Sequence, residues 1–240
     1  MEPDLLKPGA GGRMDLPLEG TGLTVRIRGI CGPDDGELSG VTFLRQVHGC
    51  EVLLSPAGGE NGDAMVFPKG EGCPGLRIAD CLPLIVVSHE AVGVVHCGWR
   101  GISGGIVTAF LDSLPDAPRR ILLGPRICPD CYTVGEDVRK LVTQSDPGGE
   151  DGHPEGGLDL GLTVGRQLES WFEGRNYDRG NVIVTDIGIC TCCSIEHYHS
   201  WRREETTQRN LVWLTPGASI ADEGDSCNIP CPLHHANQAN

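Results

Sequence analysis

Apolar residues in the middle of the chain fall into short blocks with the patterns of β-strands. Residues 21–30 alternate apolar and polar side chains, which predicts a half-exposed strand. Residues 76–88 end in a continuous apolar run and residues 91–97 form a second one, which predicts strands that are buried on both faces. Shorter apolar blocks predict further strands at 41–54, with a break at His48 and Gly49, and at 121–123, 181–186 and 210–214.

Helical patterns begin only after the two buried strands. The glycine-rich segment 98–105 leads into a helix predicted at about 106–113, and two further helices are predicted at 133–144 and 158–171. Strands followed by interspersed helices are typical of α/β folds. We therefore expect a layered α/β sandwich with mixed sheets and flanking helices.

The domain boundaries follow from composition. Glycine and proline interrupt each apolar run in residues 1–20, which predicts a flexible lead-in. One catalytic domain is expected over residues 21–216, with no internal repeat. Within it, residues 145–157 are acidic and of low complexity, which predicts a disordered loop insert, and residues 217–240 form a polar tail.

Composition narrows the environment and the partners. The chain has 240 residues, of which 39% are hydrophobic and 22% are charged, as in soluble globular proteins. It has no apolar run near the length of a membrane span and no basic segment followed by an apolar one at its start, so we expect a cytoplasmic protein. The net charge of −14 disfavours nucleic acid and anionic membranes as partners. Without an export signal, the 12 cysteines are expected to be reduced thiols, some of them metal ligands.

Three residues suggest a metal site. His48, Cys81 and His96 each lie where a predicted strand meets a turn. Two imidazoles and a thiolate form a ligand set that zinc accepts, and three protein ligands leave the fourth position to water or substrate. Their spacing matches no local zinc motif, however, so spacing alone favours the interpretation that they are buried core residues.

The sequence around these residues resembles a known family. The motifs are QVHG at 46–49, ADCLPL at 79–84 and HCGWRG at 96–101, with further matches through residue 214. They resemble the YfiH-like family, whose members are called laccase-domain proteins, polyphenol oxidases or purine nucleoside phosphorylases. The resemblance implies zinc bound by His48, Cys81 and His96, and a fold similar to the cytotoxic-necrotizing-factor catalytic fold. It also implies phosphorolysis of adenosine, inosine, guanosine or methylthioadenosine, and deamination of adenosine.

The partners expected for such an enzyme are a purine nucleoside and phosphate. Arg45 and Arg100 lie close in sequence to the predicted histidine ligands and are candidates for phosphate binding, with the backbone of Gly101 as a further donor. Asp80 is a candidate catalytic proton shuttle, or else a carboxylate that orients a ligand histidine. Asp63 is expected to be either a turn former or a ligand.

Two other chemistries use the same residues. Cys81 paired with His96 or His48 would make a nucleophile, as in a Cys–His hydrolase such as a peptidoglycan-precursor editing amidase. Copper-dependent polyphenol oxidation requires several histidine-rich sites, and the histidines available are too few, so we expect zinc rather than copper. A zinc-binding protein without catalytic activity is the third alternative.

Cysteines outside these motifs form two more groups. Cys128 and Cys131, with the CTCC motif at 190–193, are compatible with structural packing, a second metal site or a redox pair. The tail carries a second set with ligand-like spacing, which is either a metal site or a frayed terminus: Cys227, Cys231, His234 and His235.

Overall fold

Two mixed β-sheets pack face to face, and helices cover the outer face of the larger sheet. This arrangement is seen in a computed structural model that describes residues 7–177 and 179–217. The layered α/β sandwich expected from the sequence is confirmed. The four tail residues with ligand-like spacing lie outside the described residues.

The first sheet has five strands in the order β1-β2-β11-β6-β3. These are β1 (Met14–Leu18), β2 (Leu23–Arg28), β3 (Val41–Phe43), β6 (Cys73–Ile78) and β11 (Asn210–Pro216). The second has six strands in the order β10-β9-β7-β8-β5-β4. These are β4 (Val52–Leu54), β5 (Ala64–Pro68), β7 (Leu82–Val87), β8 (Ala91–Cys97), β9 (Arg120–Leu123) and β10 (Ile183–Asp186).

Five α-helices lie within the described residues. They are α1 (Trp99–Ser103), α2 (Ile106–Asp112), α3 (Glu136–Ser145), α4 (Leu160–Gly174) and α5 (Trp201–Glu204). The side chain of Asp159 caps α4 by accepting a hydrogen bond from the N–H of Leu162. Among these helices, none is both long enough and apolar enough to cross a membrane.

The hairpin β7–β8 lies at the centre of the molecule and is apolar on both faces. Leu84 and Val86 of β7 contact the helical layer, whereas Ile85 and Val87 pack between the two sheets. Because successive side chains of a strand point to opposite faces, a strand between two cores must be apolar at nearly every position. This explains the continuous apolar runs in the sequence.

Three segments differ from the sequence-based expectation. Residues 14–18, placed in the flexible lead-in, form a strand, because Met14, Leu16 and Leu18 alternate with polar or exposed positions and are buried. Residues 76–88 form parts of β6 and β7, which belong to different sheets, because the chain turns at Asp80 with a φ of 91°. The Asp80 turn is thus a crossing point between the sheets.

The acidic segment 145–157 is the third difference, because it has defined tertiary contacts instead of the predicted disorder. Its Asp146 is buried and accepts hydrogen bonds from His153 at 3.0 Å and from Arg166 of α4 at 3.1 Å. A buried carboxylate with two cationic or hydrogen-bonding partners fixes the loop against the helix.

Candidate active site

The three predicted metal ligands converge at one end of the β7–β8 hairpin. His96 is the penultimate residue of β8, Cys81 directly precedes β7, and His48 lies in the loop between β3 and β4. One ligand atom from each residue can be chosen so that all lie within 4.8 Å of one another. The tertiary fold thus brings together residues that are far apart in the sequence.

Asp63 organises this cluster from beneath. Its carboxylate accepts hydrogen bonds from the backbone N–H groups of Val47, His48 and Gly49, at 3.2, 2.9 and 2.7 Å. It also lies 2.8 Å from Nδ1 of His96 and is fully buried. One carboxylate therefore holds the turn that carries His48, in which this histidine has a φ of 60°, and orients the ring of His96.

The electrostatics of the cluster favour a thiolate. Burial raises the pKa of Cys81, but the neighbouring His96 and His48 outweigh burial and bring this pKa down to about 6. For His96 burial has the opposite effect and lowers the pKa, but the neighbouring Cys81 and Asp63 outweigh burial and raise this pKa to about 9. At neutral pH the metal-free cluster therefore contains the Cys81 thiolate beside the His96 imidazolium. A metal ion that displaces a proton from His96 would find the Cys81 thiolate already charged.

The residues fit a single metal ion. Asp63 occupies Nδ1 of His96, which leaves Nε2 of that ring for a metal, the usual arrangement for a histidine ligand. Gly98 allows the close approach of all three residues. A Cβ atom at this position would lie 3.2 Å from Sγ of Cys81 and 3.3 Å from Cδ2 of His48.

A cavity of about 630 Å³ opens onto the cluster. His48, Cys81 and His96 line its floor, and Leu44, Trp99, Tyr132 and Trp201 contribute apolar and aromatic surface. Five arginines also line the cavity, namely Arg45, Arg77, Arg100, Arg202 and Arg209. Asp80 is the acidic residue among the lining side chains. An arginine-rich wall in a protein of net charge −14 creates a local positive field that favours an anionic group.

Several of these guanidinium groups stack on aromatic rings. Arg100 lies over Trp99, with 4.4 Å from Cζ to the ring centroid, and Arg202 lies over Tyr132 at 5.0 Å. Stacking fixes the plane of a guanidinium and leaves its N–H edge to a ligand. Among the described residues, the side chains of Arg45 and Arg100 have no hydrogen-bonding or ion-pair partner.

The other predicted site residues lie in distinct places. Asp80 lines the cavity, and its carboxylate accepts hydrogen bonds from the Thr191 hydroxyl and the Arg202 backbone N–H, both at 2.7 Å. Gly101 does not line the cavity. It is buried in α1, where a Cβ atom would lie 2.9 Å from the carbonyl oxygen of Gly49.

Two parts of the site have a weak signal in the sequence. Asp63 is expected from the sequence to be a turn former or a ligand, whereas in the structure it orients the cluster. Its signal was a lone carboxylate directly before the apolar run that forms β5, since an acid beside a buried strand requires partners. Arg209 reaches the cavity from the segment before β11 and belongs to one of the motifs that resemble the family, although no role followed from that motif. Arg77 reaches the cavity from β6 and carries no motif, so only the fold reveals its position in the site.

Residues 34–215 match the sequence profile of a family described as multi-copper polyphenol oxidoreductase laccase. The chain belongs to this family. The match covers most of the described residues and includes every residue of the cluster and all lining residues of the cavity.

Similar curated proteins are named purine nucleoside phosphorylases. A protein of Escherichia coli (strain K12), named purine nucleoside phosphorylase YfiH, is 29% identical over 184 residues, which are 72% of this chain and 73% of that protein. A purine nucleoside phosphorylase of Deinococcus radiodurans is 31% identical over 183 residues, 72% of this chain and 68% of that protein. The names of these relatives support the conclusion that this chain is an enzyme.

Solved structures share the fold. YlmD from Geobacillus stearothermophilus superposes with a TM-score of 0.72 at 22% identity, over 90% of this chain and 100% of that one. YfiH of Bacillus licheniformis gives a TM-score of 0.71 at 18% identity, over 85% and 96% of the two chains.

Proposed function

We propose that this protein is a zinc-dependent purine nucleoside enzyme. Its reactions would be phosphorolysis of adenosine, inosine, guanosine or methylthioadenosine, and deamination of adenosine. The observation that carries the proposal is the arginine-lined cavity that opens onto His48, Cys81 and His96. Relatives named purine nucleoside phosphorylase, at about 30% identity, support the same substrate class.

The chain's own residues supply binding and orientation. Arg45 and Arg100 would bind phosphate, since within the described residues their side chains have no hydrogen-bonding or ion-pair partner and guanidinium suits bidentate phosphate contacts. The aromatic and apolar lining suits a purine ring. Asp63 would keep His96 oriented as a ligand. A zinc ion bound by His48, Cys81 and His96 would supply Lewis acidity and an activated water.

Asp80 would exchange protons with the substrate from the cavity wall. Its two carboxylate oxygens each accept one hydrogen bond, from Thr191 and Arg202, and each has a second acceptor site. These two contacts also fix its side chain, so a proton would be received at a defined position in the cavity.

Zinc fits this site better than a multicopper centre does. Multicopper oxidation needs a histidine-rich cluster beside a cysteine-containing copper site. Within the described residues, two groups of side chains could hold a metal, and only one of them contains histidine. That group has two histidines and one cysteine beside an open cavity, as in catalytic zinc sites with three protein ligands.

The test is product analysis with the pure, zinc-loaded protein. We expect adenosine to give adenine only when phosphate is present, and inosine with or without phosphate. Production of adenine, inosine and hypoxanthine is followed by chromatography. If zinc-loaded protein converts none of adenosine, inosine, guanosine or methylthioadenosine, the proposed function is wrong.

Arg100→Gln tests the phosphate contact within this assay. Loss of one bidentate contact should raise the KM for phosphate by roughly 10- to 100-fold and leave the phosphate-independent formation of inosine within a few-fold of the parent. Arg139→Gln, a partly buried arginine of α3 outside the cavity, is the control. An equal loss in both reactions would contradict a specific phosphate role for Arg100.

A Cys–His hydrolase is the second candidate, because Cys81, His96 and Asp63 are arranged as a nucleophile, a base and an orienting carboxylate.

In metal-free protein, alkylation of Cys81 by iodoacetamide should accelerate as pH rises through about 6, where the thiol becomes a thiolate. Mass spectrometry of the Cys81 peptide measures the rate. Zinc should protect this thiol. A midpoint near that of a free thiol would contradict the activated thiolate, and hydrolase activity in metal-free protein would favour this second function.

A further inference from the structure

A second cluster of four cysteines lies outside the residues that line the cavity. Cys128 and Cys131 belong to the segment that follows β9, and Cys190 and Cys193 to the segment that follows β10. The four Sγ atoms lie within 4.8 Å of one another. Each pair has the two-residue spacing common in structural zinc sites, although 58 residues separate the pairs.

The distances fit one tetrahedral ion and do not fit disulfides. With Zn–S bonds of about 2.3 Å, neighbouring thiolates of a tetrahedral site are separated by about 3.8 Å. Sγ of Cys193 lies 3.9 Å from Sγ of Cys128 and 3.4 Å from Sγ of Cys131. A disulfide requires about 2.05 Å, and all four cysteines are free thiols.

The backbone around Cys190 is arranged to stabilise a thiolate. Its sulfur accepts hydrogen bonds from the backbone N–H groups of Cys128 at 3.2 Å and of Cys193 at 3.4 Å. Each of these donors belongs to another cysteine of the cluster, so both cysteine loops direct a backbone N–H group toward the Cys190 sulfur. Four thiols packed together gain little in a reduced protein, whereas four thiolates around a cation gain both bonds and charge neutralisation.

We propose that Cys128, Cys131, Cys190 and Cys193 bind a structural zinc ion. All four coordination positions are filled by protein, as in structural zinc sites, so no position is open for substrate. Four thiolates select zinc over hard cations such as magnesium and calcium. The proposal is independent of the reaction that the cavity performs.

The ion would fasten together two loops that contact residues of the cavity. Tyr132, which lines the cavity, directly follows Cys131. Thr191, which donates its hydroxyl hydrogen to Asp80, directly follows Cys190. Arg203 donates to the carbonyl oxygens of Thr191 and Cys192 and so ties α5 to the same loop. A metal crosslink between the two cysteine pairs would therefore fix the positions of Tyr132 and Thr191 relative to each other.

Zinc analysis separates this site from the one at the cavity. In Cys81→Ala protein purified without chelator, we expect about one zinc ion per chain at the four cysteines. Adding Cys131→Ser and Cys193→Ser should remove it and lower the melting temperature. Cys192→Ser, next to Cys193 but outside the four-sulfur group, should keep the ion. Cys227→Ser with Cys231→Ser should also keep it.

Absence of zinc from Cys81→Ala protein would overturn the proposal, and so would zinc loss in the Cys192 or Cys227/Cys231 variants. If the variant that combines Cys81→Ala, Cys131→Ser and Cys193→Ser does not fold, cobalt(II) exchange into folded Cys81→Ala protein tests the same site. Four thiolates should give the intense visible absorption of tetrahedral cobalt thiolate. A weak spectrum, or iron in place of zinc in the purified protein, would contradict a zinc site of four cysteines.

Discussion

Replacing Cys81 by alanine should abolish turnover of nucleosides and remove one zinc ion per chain relative to the parent protein. The thiolate is the one anionic side chain among the three proposed ligands, and its charge is stabilised by His96 and His48. Without it, two imidazoles bind the metal weakly. We expect kcat/KM to fall by on the order of 10³-fold or more. Elemental analysis and the chromatographic assay measure the two losses.

Cys73→Ala is the matched control. Cys73 is a partly exposed cysteine at the start of β6 and lies outside the cavity. This variant should keep both the zinc content and the activity of the parent. Full zinc occupancy in Cys81→Ala protein would show that another residue is the ligand, and unchanged activity would remove Cys81 from the reaction.

Asp63→Asn should weaken metal binding and destabilise the fold at the same time. A carboxamide cannot accept from the backbone N–H groups of Val47, His48 and Gly49 and also serve His96, because one of its two polar atoms is a donor. An unpaired buried donor costs about 1–3 kcal/mol in the free energy of unfolding. Loss of the carboxylate behind a ligand histidine lowers metal affinity by roughly 10- to 100-fold. Chelator competition and thermal unfolding measure the two effects.

Asp116→Asn separates the two effects of the Asp63 variant. Asp116 accepts hydrogen bonds from the hydroxyl of Ser88 and from the N–H groups of His89 and Glu90, at the opposite end of the β7–β8 hairpin. The Asp116→Asn variant should lower the free energy of unfolding about as much as Asp63→Asn does, and it should leave the zinc affinity unchanged. Unchanged zinc affinity in Asp63→Asn protein would contradict the positioning role of Asp63.

Local patterns predicted most strands and helices of this protein. The continuous apolar runs of β7 and β8 are long enough, and uninterrupted enough, to define buried strands without any tertiary information. The pattern failed where a single apolar stretch crosses between sheets. Residues 76–88 contain two strands because Asp80 adopts a positive φ, and hydropathy carries no information about that turn.

The sequence offered His48, Cys81 and His96 as candidate metal ligands because the motifs around them resemble those of the YfiH-like family. Cys81 and His96 lie at strand ends in the structure, as expected, whereas His48 lies in the loop between β3 and β4, because β3 ends at Phe43. The backbone of Gly101 was a predicted phosphate donor, yet it packs against Gly49, since α1 is pressed closely onto the turn of His48. A glycine that favours ligand approach and one that favours helix packing are identical in sequence.

What the sequence determined by itself is most of the elements and the α/β class, because hydropathy period is a local property. The candidate ligands followed from the resemblance of the motifs around His48, Cys81 and His96 to the YfiH-like family. What only the tertiary structure decided is which groups meet. Asp63 beneath the cluster, the arginines around the cavity and the four cysteines after β9 and β10 come from distant segments. Their proximity depends on sheet order and strand register, which arise from the packing of the whole chain.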